Sequence, residues 1–154
     1  MRAQGHAPSV ITGAKDVAME ERVRVQEEFE KGVTKVLICT DLLTRGIDVP
    51  GMKLVVNFDL PFEYVAGPPR GAPKVPDFAT FQHRAGRVGR FGQVGCVLHL
   101  ITNGPDMDAL SAMAGHFAVH AHELPPASPE EASMLVEGAM TKPLGAPAAG
   151  GGGA

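Results

Sequence analysis

The sequence has few cysteines, no long apolar run and little net charge, and each absence narrows the kind of protein it encodes. Two cysteines, Cys39 and Cys96, occur among 154 residues. Both lie in apolar runs, which favours buried thiols of a reducing compartment over a disulfide. No stretch reaches the ~18 consecutive apolar residues of a membrane span, and no signal-peptide core begins the chain. We therefore expect an intracellular protein of the cytoplasm or nucleus with no membrane partner.

The balance of charge limits how the chain can bind anions. A net charge of −3 argues against binding nucleic acid by general electrostatic attraction. A phosphate site must therefore come from a local cluster of basic side chains. The histidines have neither HExxH spacing nor a nearby pair of cysteines, so we interpret them as structural residues and predict no metal site. This interpretation covers His99, His116, His120 and His122.

The order of the apolar segments predicts an α/β domain with a mainly parallel sheet. Strands are predicted over residues 9–11, 36–39, 54–58 and 96–101. Helices are predicted over residues 16–31, 78–85, 106–117 and 129–140. The last three strands are continuous aliphatic runs, which are typical of strands buried on both faces. Alternation of strands with helices predicts helices that flank the sheet.

Composition divides the chain into a folded part and two ends. Residues 1–7 are small and polar and predict an unstructured start, whereas residues 8–140 carry the predicted domain. Within it, residues 62–82 form a proline-rich connection with too many prolines for regular structure at its centre. Residues 141–154 are rich in glycine and alanine and predict a disordered tail.

The most informative segment is QHRAGRVGRFGQVG, residues 82–95. Arg84, Arg87 and Arg90 recur at every third residue, and one helical turn would place His83 beside Arg87. Several guanidinium groups in a small space favour a polyphosphate ligand, because arginine binds phosphate oxygens through two parallel hydrogen bonds. The alternative is a solvated basic helix end. That alternative is weaker, because glycines inside a surface helix cost roughly 1 kcal/mol each.

A second polar cluster, CTDLLTRGIDVP at residues 39–50, begins where a predicted strand ends. Ligands of open α/β sheets bind outside the carboxyl ends of strands. A carboxylate such as Asp48 suits the paired hydroxyls of a ribose, and Thr40 adds a hydroxyl. The alternative is a strand-to-helix turn in which Asp41 caps a short helix and Arg45 pairs with an acid. Taken alone, the segment does not decide between the two.

Together these segments resemble a known family. TDLLTRGID resembles motif V of the superfamily 2 helicases, HRAGRVGR resembles motif VI, and VVNFDLP is similar to a segment of the DEAD-box RNA helicases. The likeness covers roughly residues 5–125. It implies a RecA-like open parallel sheet flanked by helices, lacking its first strand, in the C-terminal lobe of such a helicase. The long connection before His83 and the later MDALSAMAGHF segment resemble the subgroup that exports mRNA at the nuclear pore.

The resemblance implies a role for each matching residue. Arg87 and Arg90 would be arginine fingers on the β- and γ-phosphates of ATP, and His83 would link the nucleotide state to the partner lobe. Asp48 would contact the ribose. The remaining nucleotide contacts would be Gly46, Val88, Gly89 and Phe91. The RNA backbone would meet Thr40, Arg45 and Gly46.

Several positions depart from the family pattern, among them Val88 and Glu27. Val88 stands where the family usually has threonine, which removes a hydroxyl between the two fingers. Glu27 stands where many members have an arginine that touches RNA. The sequence also has no GxxxxGK[ST] loop, no DEAD box and no SAT motif.

These absences imply that the chain alone does not hydrolyse ATP. An N-terminal helicase lobe would hold most of the nucleotide and its magnesium, and the partners implied are that lobe, RNA and a nuclear-pore export regulator. Two alternatives remain. The chain would otherwise be a non-catalytic module that binds RNA or a partner, or a lobe of another superfamily 2 helicase.

Overall fold

The computed structural model describes residues 7–12, 18–41, 49, 51–64, 74–90, 92–102, 104–124 and 128–141. These residues belong to two compact units, 1–52 and 53–154. Four residues of the predicted site lie outside the described residues: Arg45, Gly46, Asp48 and Phe91.

The first unit contains two parallel strands and one helix. Strand β1 (Ser9–Ile11) pairs with β2 (Leu37–Cys39) in parallel. Helix α1 (Met19–Glu30) lies between them in the chain and buries Val25. Its first turn is acidic, which suits the positive end of the helix dipole.

The second unit repeats the parallel arrangement. Strand β3 (Leu54–Asn57) pairs in parallel with β4 (Cys96–His99), and helix α2 (Phe78–Ala85) lies between them in the chain. Helices α3 (Gly104–His116) and α4 (Pro129–Thr141) follow. Each parallel pair therefore has a helix between its strands, as the sequence predicts.

One apolar cluster holds the second unit together. Its buried members are Leu60, Phe81, Ala109, Leu110 and Met113. Phe81 contributes from α2 and Met113 from α3, so both helices are anchored in the same core. Burying a large apolar side chain contributes about 1.5–3 kcal/mol, which fixes the position of α2.

The α/β architecture is confirmed, but the predicted burial of the strands is wrong. Ile38 in β2 is 47% exposed and Val56 in β3 is 51% exposed. Cys39 is exposed and Cys96 only half-buried, so the predicted burial of the first thiol is also wrong. The physical reason is that each described sheet has only two strands, so every strand is an edge and keeps an open side.

The ends of the proline-rich connection are fixed. Phe62 and Pro76 form an antiparallel bridge, and Glu63 N donates to Val75 O at 2.8 Å. The ammonium group of Lys74 lies 4.8 Å from the centre of the Phe62 ring. The centre of the connection, residues 65–73, is outside the described residues. No helix within the described ranges has the length and apolar character to cross a membrane.

Candidate functional site

Helix α2 begins at a side-chain cap. Asp77 Oδ1 accepts a hydrogen bond from Thr80 N at 2.9 Å, and Asp77 Oδ2 accepts one from Thr80 Oγ1 at 2.7 Å. A cap of this kind contributes about 1 kcal/mol. Asp77 N also donates to Pro61 O at 3.0 Å, which ties the cap to the residue just before the proline-rich connection. In the sequence, an acidic residue such as Asp77 directly before an apolar helical segment indicates a cap of this kind.

The other end of α2 gathers two of the predicted arginines. Arg87 Nε donates to His83 O at 3.0 Å, and Arg90 Nε donates to Gly86 O at 2.7 Å. These carbonyls belong to the last turn and the C-cap of α2, where a helix leaves acceptors without intrahelical partners. Positive charge is also favourable at this end of the helix dipole. The structure therefore brings Arg87 and Arg90 together at one helix end.

The loop after α2 turns through two glycines. Gly89 and Gly92 have φ angles of +72° and +76°, which residues with a Cβ rarely adopt. Directly after Gly92, Gln93 N donates to Arg90 O at 3.0 Å. We name residues 86–95 the arginine loop. Val88 and Gly89, both predicted nucleotide contacts, lie in it.

Gly95 closes the arginine loop against Val88. A Cβ on Gly95 would lie 2.5 Å from the Val88 Cβ and 2.6 Å from the backbone nitrogen of Gly89. Such separations are too short for real Cβ atoms, so this approach requires glycine. Val88 therefore lies directly against the backbone of Gly95 in the arginine loop.

His83 and Arg87 are neighbours, but not on one continuous helix. The helix ends at Ala85, and Arg87 N donates to Arg84 O at 3.3 Å in a tighter turn. The predicted shared helical face is therefore wrong. Gly86 provides the C-cap. The Arg87 side chain contacts His83 through its hydrogen bond to the His83 carbonyl, not through a shared helix face. The His83 residue itself is exposed on the last turn.

Arg84 does not share the position of the other two arginines. Its Nη1 donates to Asp59 O at 2.7 Å and to Asp59 Oδ1 at 3.3 Å. The Arg84 side chain is only 11% exposed. The expectation that three guanidinium groups converge on one ligand is therefore wrong for Arg84. Spacing along the sequence could not reveal an acceptor that lies 25 residues earlier.

His99 supports α2 from the sheet. Its ring stacks on Phe81 with a centroid distance of 5.2 Å and an interplanar angle of 7°. Buried Asn57 donates from Nδ2 to His99 Nδ1 at 3.2 Å. Burial, and secondly the positive charge of Arg84, lower the pKa of His99. A neutral ring accepts this hydrogen bond, so His99 contacts both Asn57 in β3 and Phe81 in α2.

The depressed pKa of His99 predicts a loss of stability in acid. His99 in the unfolded chain takes up a proton near its ordinary value of 6.5, whereas the folded chain does so only at lower pH. Protons therefore favour the unfolded state as the pH falls below 6.5. We expect the melting temperature of the chain to decrease between pH 7 and pH 5, measured by circular dichroism.

His99→Asn provides the matched control for this prediction, because asparagine keeps an acceptor near the Nδ1 position and does not titrate. The variant should melt lower at pH 7 because it loses the stacking on Phe81. Its melting temperature should depend less on pH than that of the parent chain. Equal pH dependence in the two proteins would contradict the assignment, since all other titrating groups are shared.

The predicted site residues fall into three groups. His83, Arg87, Val88, Gly89 and Arg90 lie at the end of α2 and in the arginine loop. Thr40 lies in the first unit, exposed directly after β2, which confirms its position at the carboxyl end of a strand. The others are outside the described residues. Within the described ranges, no group of three His, Cys, Asp or Glu residues could hold a metal ion.

Comparison with known proteins identifies the family. The helicase conserved C-terminal domain matches residues 3–92. The DEAD-box helicase Dbp80 of Drosophila melanogaster is 39% identical over 117 residues, which are 76% of this chain and 23% of that protein. The structure of S. cerevisiae Dbp5 bound to RNA and ADP BeF3 is 34% identical, with a TM-score of 0.74, over 91% of this chain and 34% of that one.

A structure of a single domain is matched more completely. A variant of the S. cerevisiae Dbp5 C-terminal domain, bound to a Gle1 variant and IP6, is 33% identical with a TM-score of 0.71. The match covers 90% of this chain and 72% of that one. The chain therefore belongs to the helicase conserved C-terminal domain family, and its fold is the RecA-like fold of that domain. Within the family it is a Dbp5-like C-terminal domain of a DEAD-box RNA helicase, and it spans 23% of the length of the Drosophila relative.

Proposed function

We propose that this domain supplies one side of an ATP site whose other side is an N-terminal helicase lobe. Arg87 and Arg90 bind the β- and γ-phosphates and stabilise the charge that develops as the terminal phosphoryl group is transferred to water. His83 couples the occupied site to the partner lobe. The observation that carries the proposal is the pair of Nε hydrogen bonds that holds both arginines at the end of α2.

The remaining nucleotide contacts follow from the family motifs. Asp48 accepts hydrogen bonds from the ribose hydroxyls. The same motifs assign further nucleotide contacts to Gly46, Val88, Gly89 and Phe91. By the same family resemblance, the N-terminal lobe holds the magnesium ion that accompanies ATP.

The arginine loop fits a polyphosphate chemically. Guanidinium groups are planar, remain charged and match phosphate oxygens in geometry. Gly89 and Gly92 carry no side chains of their own, which lets a ligand approach their backbone closely. Because the guanidinium groups stay charged, the loop can stabilise negative charge on a phosphate without gaining or losing a proton.

The same domain contacts RNA through its first unit. We propose that Thr40, Arg45 and Gly46 contact the RNA backbone. Thr40 is exposed at the carboxyl end of β2, where an open sheet places its ligands. Contacts to phosphate and sugar give affinity with little choice of sequence. The similarity to Dbp5 bound to RNA supports this assignment.

The domain also takes part in mRNA export, in the cytoplasm or nucleus and at the nuclear pore. Its partner there is an export regulator. The support is the similarity to the Dbp5 C-terminal domain solved with a Gle1 variant and IP6.

A comparison of the chain alone with a two-lobe protein tests the shared site. The two-lobe protein is this chain joined to an N-terminal lobe that carries a phosphate loop and a DEAD box. We expect magnesium-dependent phosphate release at background level from the chain alone and RNA-stimulated release from the two-lobe protein. The measurement is a phosphate-release assay at saturating ATP, with and without RNA.

Each outcome discriminates between proposals. Phosphate release by the purified chain alone would contradict the shared site. An inactive two-lobe protein would contradict the catalytic role, and RNA binding by the chain would then favour a non-catalytic binding module.

A further inference from the structure

Arg84 occupies a place in the second unit that the phosphate-binding role does not explain. It is the first arginine of the series, yet its side chain is 11% exposed and its Nη1 lies 2.7 Å from Asp59 O. The carboxylate of Asp59 is 79% exposed, and an ion pair so open to solvent contributes little. The stronger contact is the hydrogen bond to the backbone carbonyl, because it is short and its donor is nearly buried.

This contact joins α2 to the segment that follows β3. Asp59 comes two residues after Asn57, the last residue of β3, and Leu60 beside it lies in the core. Phe81 packs α2 into the same core. Arg84, one turn later, lies next to Phe81 on the same side of α2. The two contacts together hold the last turn of the short helix in place.

The backbone at Arg84 and the residue before it is hydrogen-bonded to Arg87, the first of the two proposed arginine fingers. Arg84 O accepts a hydrogen bond from Arg87 N at 3.3 Å. The preceding carbonyl, His83 O, accepts one from Arg87 Nε at 3.0 Å. The backbone of Arg87 is therefore hydrogen-bonded to Arg84, and its side chain to His83. Both acceptors lie in the last turn of α2, which the Arg84 side chain anchors to Asp59. A rotation of the last turn of α2 would move the Arg87 guanidinium with it.

We propose that Arg84 is a positioning residue, which holds the end of α2 on Asp59 and thereby sets the orientation of Arg87. This role rests on the proposed function, because it matters for catalysis only if Arg87 contacts the phosphates. Arg84 itself makes no contact with the nucleotide.

The closing experiment combines Arg84→Gln with Arg87→Ala in the two-lobe protein. We expect Arg84→Gln to lower kcat by about 10–100-fold while KM for ATP changes little, since it acts in the transition state through Arg87. We expect the double variant to match Arg87→Ala alone, because a residue that acts through another adds nothing once that residue is gone. Arg24→Gln, an exposed arginine paired with Glu21 and Glu28, is the control with unchanged activity.

Three results would overturn the proposal. A further loss of kcat in the double variant would make Arg84 an independent phosphate ligand. A lower melting temperature with unchanged kcat would leave Arg84 only a structural role. Failure of Arg84→Lys to restore most of the activity would also count against it, because lysine keeps a donor for the Asp59 carbonyl.

A measurement on the chain alone separates this proposal from the proposed function. The Nε–H signal of Arg87 in the nuclear magnetic resonance spectrum reports its hydrogen bond to His83. We expect Arg84→Gln and Arg84→Lys to shift this signal, more for Gln, and Arg24→Gln to leave it in place. An unshifted signal would refute the positioning role even if Arg87 proves essential. Normal hydrolysis by Arg87→Ala would instead refute the proposed function.

Discussion

Replacing Arg87 by alanine is expected to slow ATP hydrolysis by the two-lobe protein about 1,000-fold, as for other arginine fingers. The guanidinium group stabilises charge that is greatest in the transition state, so kcat should fall far more than the affinity for ATP. The structure holds Arg87 at the end of α2 through His83 O, and alanine removes the donor together with the charge. Single-turnover hydrolysis at saturating ATP and RNA measures the chemical step.

Two variants serve as controls for this result. Arg24→Ala removes an exposed arginine from α1, where its partners are Glu21 and Glu28, and should leave hydrolysis unchanged. Arg87→Lys keeps the positive charge but loses the planar fork, and should recover only part of the activity. Turnover near the parent rate in Arg87→Ala would refute the assignment of Arg87 as a finger.

The arrangement explains how so short a helix can position the arginine loop. Helix α2 has only eight residues, and isolated helices of this length are marginal in water. It is instead fixed by the cap at Asp77, the stacking of Phe81 on His99 and the hydrogen bond of Arg84 to Asp59. The orientation of the arginines therefore depends on tertiary contacts made by the helix that precedes them.

Local signals in the sequence predicted α2 well. The predicted bounds, residues 78–85, agree with the helix in the structure. In the structure, Gly86 is the C-cap of this helix and Phe81 is its buried residue. The grouping of Arg87 and Arg90 also followed from their spacing, since both side chains reach back by four residues.

Long-range contacts were not predictable in the same way. The spacing of the arginines suggested that Arg84 faces the same ligand as Arg87, but its acceptor at Asp59 depends on how β3 approaches α2. The aliphatic run containing Ile38 suggested a strand covered on both faces, yet burial depends on neighbouring strands that a single segment does not specify. The expectations for Asp48 and Gly46 rest on family motifs and remain predictions.

Gly95 should tolerate no side chain, although it lies outside the predicted nucleotide contacts. An alanine Cβ would lie 2.5 Å from the Val88 Cβ and 2.6 Å from the nitrogen of Gly89. The second neighbour is backbone, so it cannot move aside as a flexible side chain would. We expect Gly95→Ala to lower the free energy of unfolding by about 1–3 kcal/mol, as overpacking does, and to displace the arginine loop. Urea denaturation of the chain measures the change.

A glycine in an open helical position gives the matched comparison. Gly138 lies within α4, and a Cβ there meets no atom within 4 Å. Gly138→Ala should therefore stabilise the chain by up to roughly 1 kcal/mol, through helix propensity. Adding Val88→Ala to Gly95→Ala should restore little stability, because alanine keeps the Cβ and the contact with Gly89 remains. Equal stability of the Gly95→Ala and Gly138→Ala variants would mean that the loop closes without this contact.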